Sequence, residues 1–153
     1  MSAHCEVWFY HLERTGVDRA LPMLLEKTLA RGWRALVRAP GADGLAALDE
    51  KLWTYADDSF LPHGVEDDAF SACQPVLLSA DVAKAGNGAQ ALFLVGGAEA
   101  GDLSGFERCI LLFEGNDADA IKGARARWTR FKADGYPVSY WKQSPNGAWG
   151  KQA

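Results

Sequence analysis

The stretch Val7-Trp8-Phe9-Tyr10-His11-Leu12 decides which class of fold this sequence can form. It is a nearly continuous apolar and aromatic run, and such runs are typical of strands that are covered on both faces. The run therefore predicts a buried strand in the middle layer of an α/β domain.

An amphipathic helix is expected directly after this strand. Thr15 is placed to cap its N-terminus, with Asp18 reaching back to complete a capping box, and Gly32 is placed to end it. Pro22 would remove one backbone hydrogen bond, so we expect a kink or a start nearer Leu21. Apolar spacing of three and four residues is shown by Val17, Ala20, Leu21, Leu24, Leu25, Thr28 and Leu29.

Strand and helix patterns alternate through most of the remaining chain. Strands are expected at residues 34–39, 75–79 (at an edge), 91–95, 110–113 and 136–142. Helices are expected from about residue 44 to Trp53, and from Asn116 or Asp117 to about Ala133. Pro137 confines the last strand to an edge or takes its first position. The alternation predicts an α/β three-layer sandwich with a mostly parallel sheet, forming one domain over residues 1–143 and a tail over 144–153.

Composition excludes several classes of protein. Hydrophobic residues make up 48% of the 153 residues and charged residues 24%, which is typical of a globular domain. The longest apolar runs are too short to cross a bilayer and the N-terminus lacks a signal peptide pattern, so we expect a cytoplasmic protein without a membrane partner. The three cysteines and three histidines show no metal-ligand spacing, so no metal site is expected.

The sequence lacks the motifs of a nucleotide-binding enzyme. Neither GxxxxGK[ST] nor a GxGxxG after the first strand is present, and no GxSxG marks a nucleophile. Carboxylates at the predicted helix N-termini would repel a phosphate; they belong to Asp18, Asp43, Asp117 and Asp119. We therefore expect no cofactor and no catalysis by the chain itself, and keep a small nucleotide-binding α/β enzyme as the alternative.

The third predicted helix is unusually basic. Residues 122–132 carry five basic side chains and no acidic one, whereas the whole chain has 16 basic and 20 acidic residues. On a helical wheel Arg125 and Lys132 adjoin a buried stripe that contains Trp128, while Lys122 and Thr129 lie further round. One interpretation is a solvated helix face. The other is an apolar slot ringed by cations, suited to a short acidic ligand with a hydrophobic end.

Direct binding of single-stranded nucleic acid by this helix is a further alternative. A net charge of −4 and a pI near 5.3 argue against contact with DNA elsewhere on the surface.

An aromatic segment follows the second helix, over residues 52–64, with the sequence LWTYADDSFLPHG. Its rings belong to Trp53, Tyr55 and Phe60, although surface loops rarely carry so many apolar side chains. The rings either cap the core or contact a partner protein.

Several segments, in the same order along the chain, resemble the chi subunit family of bacterial DNA polymerase III. They are VWFYHL (7–12), ALPMLLEK (20–27), GWR (32–34), the 52–63 segment, RW (127–128), YWKQ (140–143) and the later Gly147-Ala-Trp149. The resemblance implies a Rossmann-like α/β fold without a nucleotide-binding loop. It also implies a non-catalytic accessory subunit of the clamp-loader assembly that takes part in DNA replication.

The resemblance also implies partners and their sites. Family members bind the acidic, Phe-ended C-terminal tail of single-stranded DNA-binding protein, and usually a small psi subunit, so that contact with DNA is indirect. The tail-binding region corresponds to Arg125, Trp128, Lys132, Lys122 and Thr129. The side facing psi, or another clamp-loader component, corresponds to Trp53, Phe60 and Pro62. Thr129 and Ile121 stand where some members carry a further lysine, which affects the number of tail contacts.

Overall fold

The computed structural model describes residues 5–12, 17–54, 64–65, 75–79, 89–98, 103, 106–143 and 149–151. At 17–18, 42–43, 45, 51–54, 64–65, 143 and 149 the description is of the backbone. In chain order the elements are β1 (Glu6–Leu12), α1 (Val17–Ala30), β2 (Ala35–Arg38), α2 (Gly41–Thr54), β3 (Gly64–Val65), β4 (Val76–Ser79), β5 (Ala91–Leu94), β6 (Arg108–Glu114), α3 (Ala118–Ala133), β7 (Val138–Gln143) and β8 (Trp149–Lys151).

The described strands form one sheet in the order β3-β4-β2-β5-β6-β1-β7-β8. Neighbouring strands are parallel except for the β7–β8 pair, which is antiparallel. Because parallel strands need crossover connections, the helices lie on the faces of the sheet. The predicted α/β fold with a mostly parallel sheet is confirmed.

Helices cover the sheet on both faces, which gives three layers. Side chains alternate along β1, so that Tyr10 and Leu12 pack with α1 and α2 while Val7 and Phe9 pack beneath α3. Phe9 and Val7 are completely buried. The two-faced burial that the opening apolar run predicts is therefore present, with one hydrophobic cluster on each side of the sheet.

Helix α1 begins earlier than we expect from its sequence. It runs from Val17 through Pro22 to Ala30, so the expected start nearer Leu21 is wrong. Pro22 lies in the second turn, where its missing N–H removes a single hydrogen bond, and the burial of Leu21 and Leu25 outweighs that loss. Thr15, the expected cap, lies outside the described residues, and the side chain of Asp18 is not described.

The end of α1 agrees with the sequence. Gly32 adopts a φ of +83°, and its N–H donates to the Leu29 carbonyl at 2.9 Å. The N–H of Trp33 reaches back to the Thr28 carbonyl at 3.3 Å. A residue with a side chain is strained at this φ, so glycine ends the helix here.

The expected edge position of β4 is wrong, and of the two alternatives for the last strand the edge position is excluded. Strand β4 pairs with β2 on one side and with the two residues of β3 on the other, so it is not an edge. Strand β7 lies between β1 and β8, and Pro137 immediately precedes it. The Pro137 carbonyl accepts a hydrogen bond from the Val7 N–H at 2.9 Å, and this contact does not require an N–H group on the proline. Residues 149–151, which lie in the expected C-terminal tail, form the strand β8.

Candidate functional site

Helix α3 has the limits that its sequence predicts. The Asp117 carboxylate accepts hydrogen bonds from the Asp119 and Ala120 N–H groups, at 3.0 and 3.2 Å. Gly135 follows the helix with a φ of +90°. Two of the N-terminal N–H groups are thus satisfied by the chain's own carboxylate, in a position where an anionic ligand would otherwise bind.

The buried stripe of α3 is also confirmed. Ala124 and Phe131 are buried, and Ile121 and Trp128 are half-buried against the same cluster. The Trp128 ring meets Phe9 edge to face, with 5.4 Å between ring centroids. This contact holds the indole at the margin of the core, where one side of it is open to solvent.

A groove of about 480 Å³ lies between α3 and the sheet. It is lined by Phe113, Ile121, Ala124, Arg125, Trp128, Thr129 and Tyr140. The structure therefore brings together three of the five residues that we expected here: Arg125, Trp128 and Thr129. Ile121 and Ala124 of α3 complete the helix side of the groove, and the two residues from the neighbouring strands, Phe113 and Tyr140, are aromatic.

Two of these wall residues, Phe113 and Tyr140, were not predicted from the sequence. A partial signal for Tyr140 exists, because it lies two residues after Val138 along β7 and so shares a face of the sheet with it. No local pattern links either residue to α3, since the contact depends on how β6 and β7 lie beside that helix.

Four of the expected residues form a strip along one side of α3. Lys122, Arg125, Thr129 and Lys132 recur at spacings of three and four, and all four are exposed. Lys122 and Lys132 are not among the described residues that line the groove. The strip spans about 15 Å, with Arg125 at the groove and a lysine towards each end.

Arg127 has a structural role that its place in the basic run does not indicate. Its guanidinium group donates to the carbonyl oxygens of Ala98 and Gly97, each at 2.7 Å. Arg127 therefore attaches α3 to the segment that follows β5. Because its guanidinium group is engaged in these two hydrogen bonds, Arg127 is not one of the cations of the strip.

Tyr140 is held in place by its neighbours. Its hydroxyl group is hydrogen-bonded to His11 Nδ1, and its ring packs against Phe113 and Trp128, each at a centroid distance of 6.1 Å. Behind His11, Gly115 leaves no space for a side chain, because a Cβ there would overlap the imidazole and the Leu12 carbonyl. The groove wall is therefore formed before any ligand arrives.

The edge of the sheet where α/β proteins bind nucleotides is acidic in this protein. A second cleft of about 410 Å³ lies at the carboxyl ends of β5 and β6. Among its lining residues are Glu114, Asp117 and Asp119. These carboxylates disfavour a phosphate group, in agreement with the missing nucleotide motifs.

Two buried cysteines do not have the properties of nucleophiles. Burial raises the pKa of the Cys5 thiol to about 12, and it also raises the pKa of Cys109, which is fully buried. Both thiols are therefore protonated at neutral pH. Within the described part of the chain, no group of three or more His, Cys, Asp or Glu side chains is arranged to hold a metal ion. Of the described helices, none is long and apolar enough to span a membrane.

The aromatic segment lies mostly outside the described residues. The backbone of Trp53 is part of α2, but its side chain is not described. Phe60 and Pro62 lie outside the described ranges. A partner site at these three residues stays a prediction.

Comparison with known proteins places the chain in a family. A family model described as DNA polymerase III chi subunit, HolC, matches residues 5–139. The chain is also similar to the probable DNA polymerase III subunit chi of Rickettsia prowazekii (strain Madrid E), with 22% identity over 149 residues. That alignment covers 94% of this chain and 90% of the relative. The match extends from β1 into β7 and thus includes the three helices of the described residues. The chain therefore belongs to the family of DNA polymerase III chi subunits, which are accessory proteins of DNA replication.

Proposed function

We propose that this chain is a non-catalytic adaptor that links the replicase, through its clamp-loader assembly, to the C-terminal tail of single-stranded DNA-binding protein. The observation that carries the proposal is the aromatic groove beside α3 with a cationic strip along it. Subtracting the five basic residues of 122–132 from the total of 16 leaves 11, against 20 acidic residues elsewhere. Cations are therefore concentrated on α3, the helix that forms one side of the groove, in an otherwise acidic chain.

The groove is suited to the hydrophobic end of such a tail. Its volume of about 480 Å³ lies within the range of ~300–1,000 Å³ that is typical of pockets for small ligands. A terminal phenylalanine would lie against the exposed sides of Trp128 and Tyr140, which contact each other, with Ala124 beside them. Ring edges and faces are both presented there, which favours edge-to-face contact with a third ring.

The strip is suited to the acidic part of the tail. Arg125 lines the groove and can hold a carboxylate with two parallel hydrogen bonds. Lys122 and Lys132 would act as point charges on either side of it. Their spacing on α3 matches an extended peptide that runs along the helix rather than a single anion.

The expected affinity is modest. Burying one phenylalanine side chain contributes about 1.5–3 kcal/mol, and each exposed ion pair contributes ~0.2–1 kcal/mol. These gains are offset by the ordering of a flexible peptide. Binding should therefore weaken as salt is added, because the ion pairs lie on the surface.

Fluorescence anisotropy with a labelled acidic peptide that ends in phenylalanine tests both halves of the proposal. We expect Arg125→Glu to abolish most of the binding, whereas Arg130→Glu serves as a control with the same change of charge. Arg130 is exposed on α3 but is not among the described residues of the groove. A copy of the peptide without its terminal phenylalanine should bind much more weakly. Equal binding of the two peptides would refute the groove as its site.

Tighter binding to bare single-stranded DNA than to either peptide would instead favour direct recognition of nucleic acid. Saturable binding of ATP in calorimetry would favour the nucleotide-binding enzyme. Both titrations use the same purified chain, so the three functions can be compared directly.

The second partner of the adaptor is proposed to be psi or another clamp-loader component, held by Trp53, Phe60 and Pro62. In that case Phe60→Ala should weaken capture of the partner by about 2 kcal/mol or more while leaving the melting temperature nearly unchanged. If the rings cap the core instead, the same substitution should destabilise the fold by about 3–5 kcal/mol.

A further inference from the structure

A row of stacked side chains crosses the sheet on the face opposite to α3. It consists of Arg31, Trp33, Arg108, Trp8 and Trp141, and we call it the tryptophan–arginine row. Arg31 lies 4.2 Å from the centroid of the Trp33 ring, and Arg108 lies 5.3 Å from it. Arg108 also lies 4.0 Å from the Trp8 ring, which stacks on Trp141 at 5.1 Å. The row connects the end of α1 with β6, β1 and β7.

This row lies beside the part of the sheet that α1 covers. Tyr10 and Leu12, in the second half of β1, are buried with α1, whereas Trp8, earlier in the strand, is half-buried. Trp33 and Trp141 are also half-buried. The described helix that packs on β7 is α3, which lies on the other face. Sheets of parallel strands normally have both faces covered, so this margin of the face is a place for a further element.

The described charges beside the row are mainly positive. Arg31 is exposed, and Arg108 is partly buried. Lys151 is exposed and lies directly opposite Trp141 in the antiparallel β7–β8 pair, so it projects on the same side of the sheet. Glu6 approaches Arg108 at 3.6 Å and offsets one of these charges. The surface therefore combines apolar indole edges with an excess of cations, although the whole chain is acidic.

The stacking decides what kind of ligand the row can take. Nucleobases bind aromatic side chains by stacking on a free ring face. Here Trp8 and Trp141 stack on each other, while Arg108 covers Trp8 from the β6 side. Both faces of Trp8 and one face of Trp141 are thus covered, which leaves little ring surface for a base, whereas ring edges suit aliphatic or aromatic side chains of a protein segment.

We propose that the tryptophan–arginine row is a docking surface for an acidic amphipathic segment of a partner protein. Apolar side chains of that segment lie on the edges of Trp8 and Trp141, and its carboxylates meet Arg31, Arg108 and Lys151. This surface is separate from the groove of the proposed function, because the two lie on opposite faces of the sheet.

The probe for this surface is a synthetic helical peptide with leucines on one face and glutamates on the other. In two-dimensional NMR spectra, the indole N–H signals of Trp8 and Trp141 should shift on addition of the peptide. The signal of Trp141 is a sensitive reporter, because its Nε1 donates to Ser139 Oγ at 3.0 Å. Trp8→Phe and Trp141→Phe variants assign the two signals.

Charge reversal at the exposed ends of the row separates docking from general attraction. Arg31→Glu combined with Lys151→Glu should weaken binding of the peptide about tenfold. Arg19→Glu combined with Arg130→Glu makes the same change in net charge at exposed positions away from the row and should leave the affinity within about twofold.

Several results would overturn this proposal. They are the absence of binding, equal weakening by the two double variants, equal affinity for a peptide with lysine in place of glutamate, and binding that leaves both indole signals unshifted. Preferential binding of oligothymidylate would assign the row to nucleic acid instead. The phenylalanine-ended tail peptide should bind the Arg31→Glu/Lys151→Glu variant with the same affinity as the wild type. Failure of the docking surface can therefore be distinguished from failure of the groove as the tail-binding site.

Discussion

Arg125 and Arg127 are two residues apart on α3, yet the structure predicts opposite consequences for their replacement. Arg127 donates two hydrogen bonds of 2.7 Å to backbone carbonyls, whereas Arg125 is exposed at the groove. We therefore expect Arg127→Met to lower stability and to leave the affinity for the tail peptide nearly unchanged. Arg125→Met should do the reverse. Methionine retains most of the aliphatic stem, so the comparison isolates the guanidinium group.

The size of the effect at Arg127 follows from these two contacts. A hydrogen bond to a charged group contributes about 1.5–3 kcal/mol. Gly97 is exposed and its carbonyl can be hydrated instead, whereas Ala98 is buried, so we count about one full bond and part of a second. The expected loss is about 2 kcal/mol, which corresponds to a decrease in melting temperature of about 4–8 °C for a domain of this size.

Urea titration with thermal melts measures the stability, and anisotropy with the tail peptide measures the binding. If the melting temperature of Arg127→Met equalled that of the wild type, the two hydrogen bonds would contribute nothing measurable to stability. If Arg125→Met destabilised the fold as much as Arg127→Met, or if both variants lost binding equally, the division of roles between the two arginines would be refuted.

Two further predictions concern stability. Gly115→Ala should cost about 1–3 kcal/mol because its Cβ would press on His11 and the Leu12 carbonyl, while Gly123→Ala, in open space on α3, should stabilise by about 0.5–1 kcal/mol. Equal urea midpoints for these two variants would contradict this. Burial raises the pKa of Tyr10 to about 12, whereas its pKa in the unfolded chain is about 10. The preference of the folded state for the neutral phenol therefore contributes its full stabilisation below about pH 10, and this contribution is lost as the pH rises to about 12. Between these pH values the stability of the wild type should therefore fall more steeply than that of Tyr10→Phe, and parallel pH curves would exclude the effect.

Much of the fold can be predicted from local patterns. The opening run of β1 predicts burial on both faces, and Asp117 and Gly135 delimit α3 as expected. These features depend on residues close together in the chain, such as a cap and the N–H groups two and three residues after it. Strand order is harder to predict, because β4 and β7 become internal through pairing with very short strands. Two or three residues are too few for a periodic pattern to indicate a strand.

The sequence by itself determined the class of the fold, the buried stripe of α3 and the basic character of that helix. It also carried the segments by which the chain resembles its family, and the comparison confirms that family. Each of these rests on the identity of residues at short spacings. A helical wheel, for example, orders Arg125 and Trp128 without any knowledge of the sheet.

The tertiary structure decided which of these side chains share a site. Phe113 and Tyr140 complete the groove from strands that are distant in sequence from each other, and His11 orients Tyr140 across 129 positions. It also withdrew Arg127 from the cationic surface by bringing two carbonyl oxygens within hydrogen-bonding distance. Charge and polarity are properties of a residue, but whether a side chain is free to bind depends on its neighbours, and distant segments become neighbours only when the chain has folded.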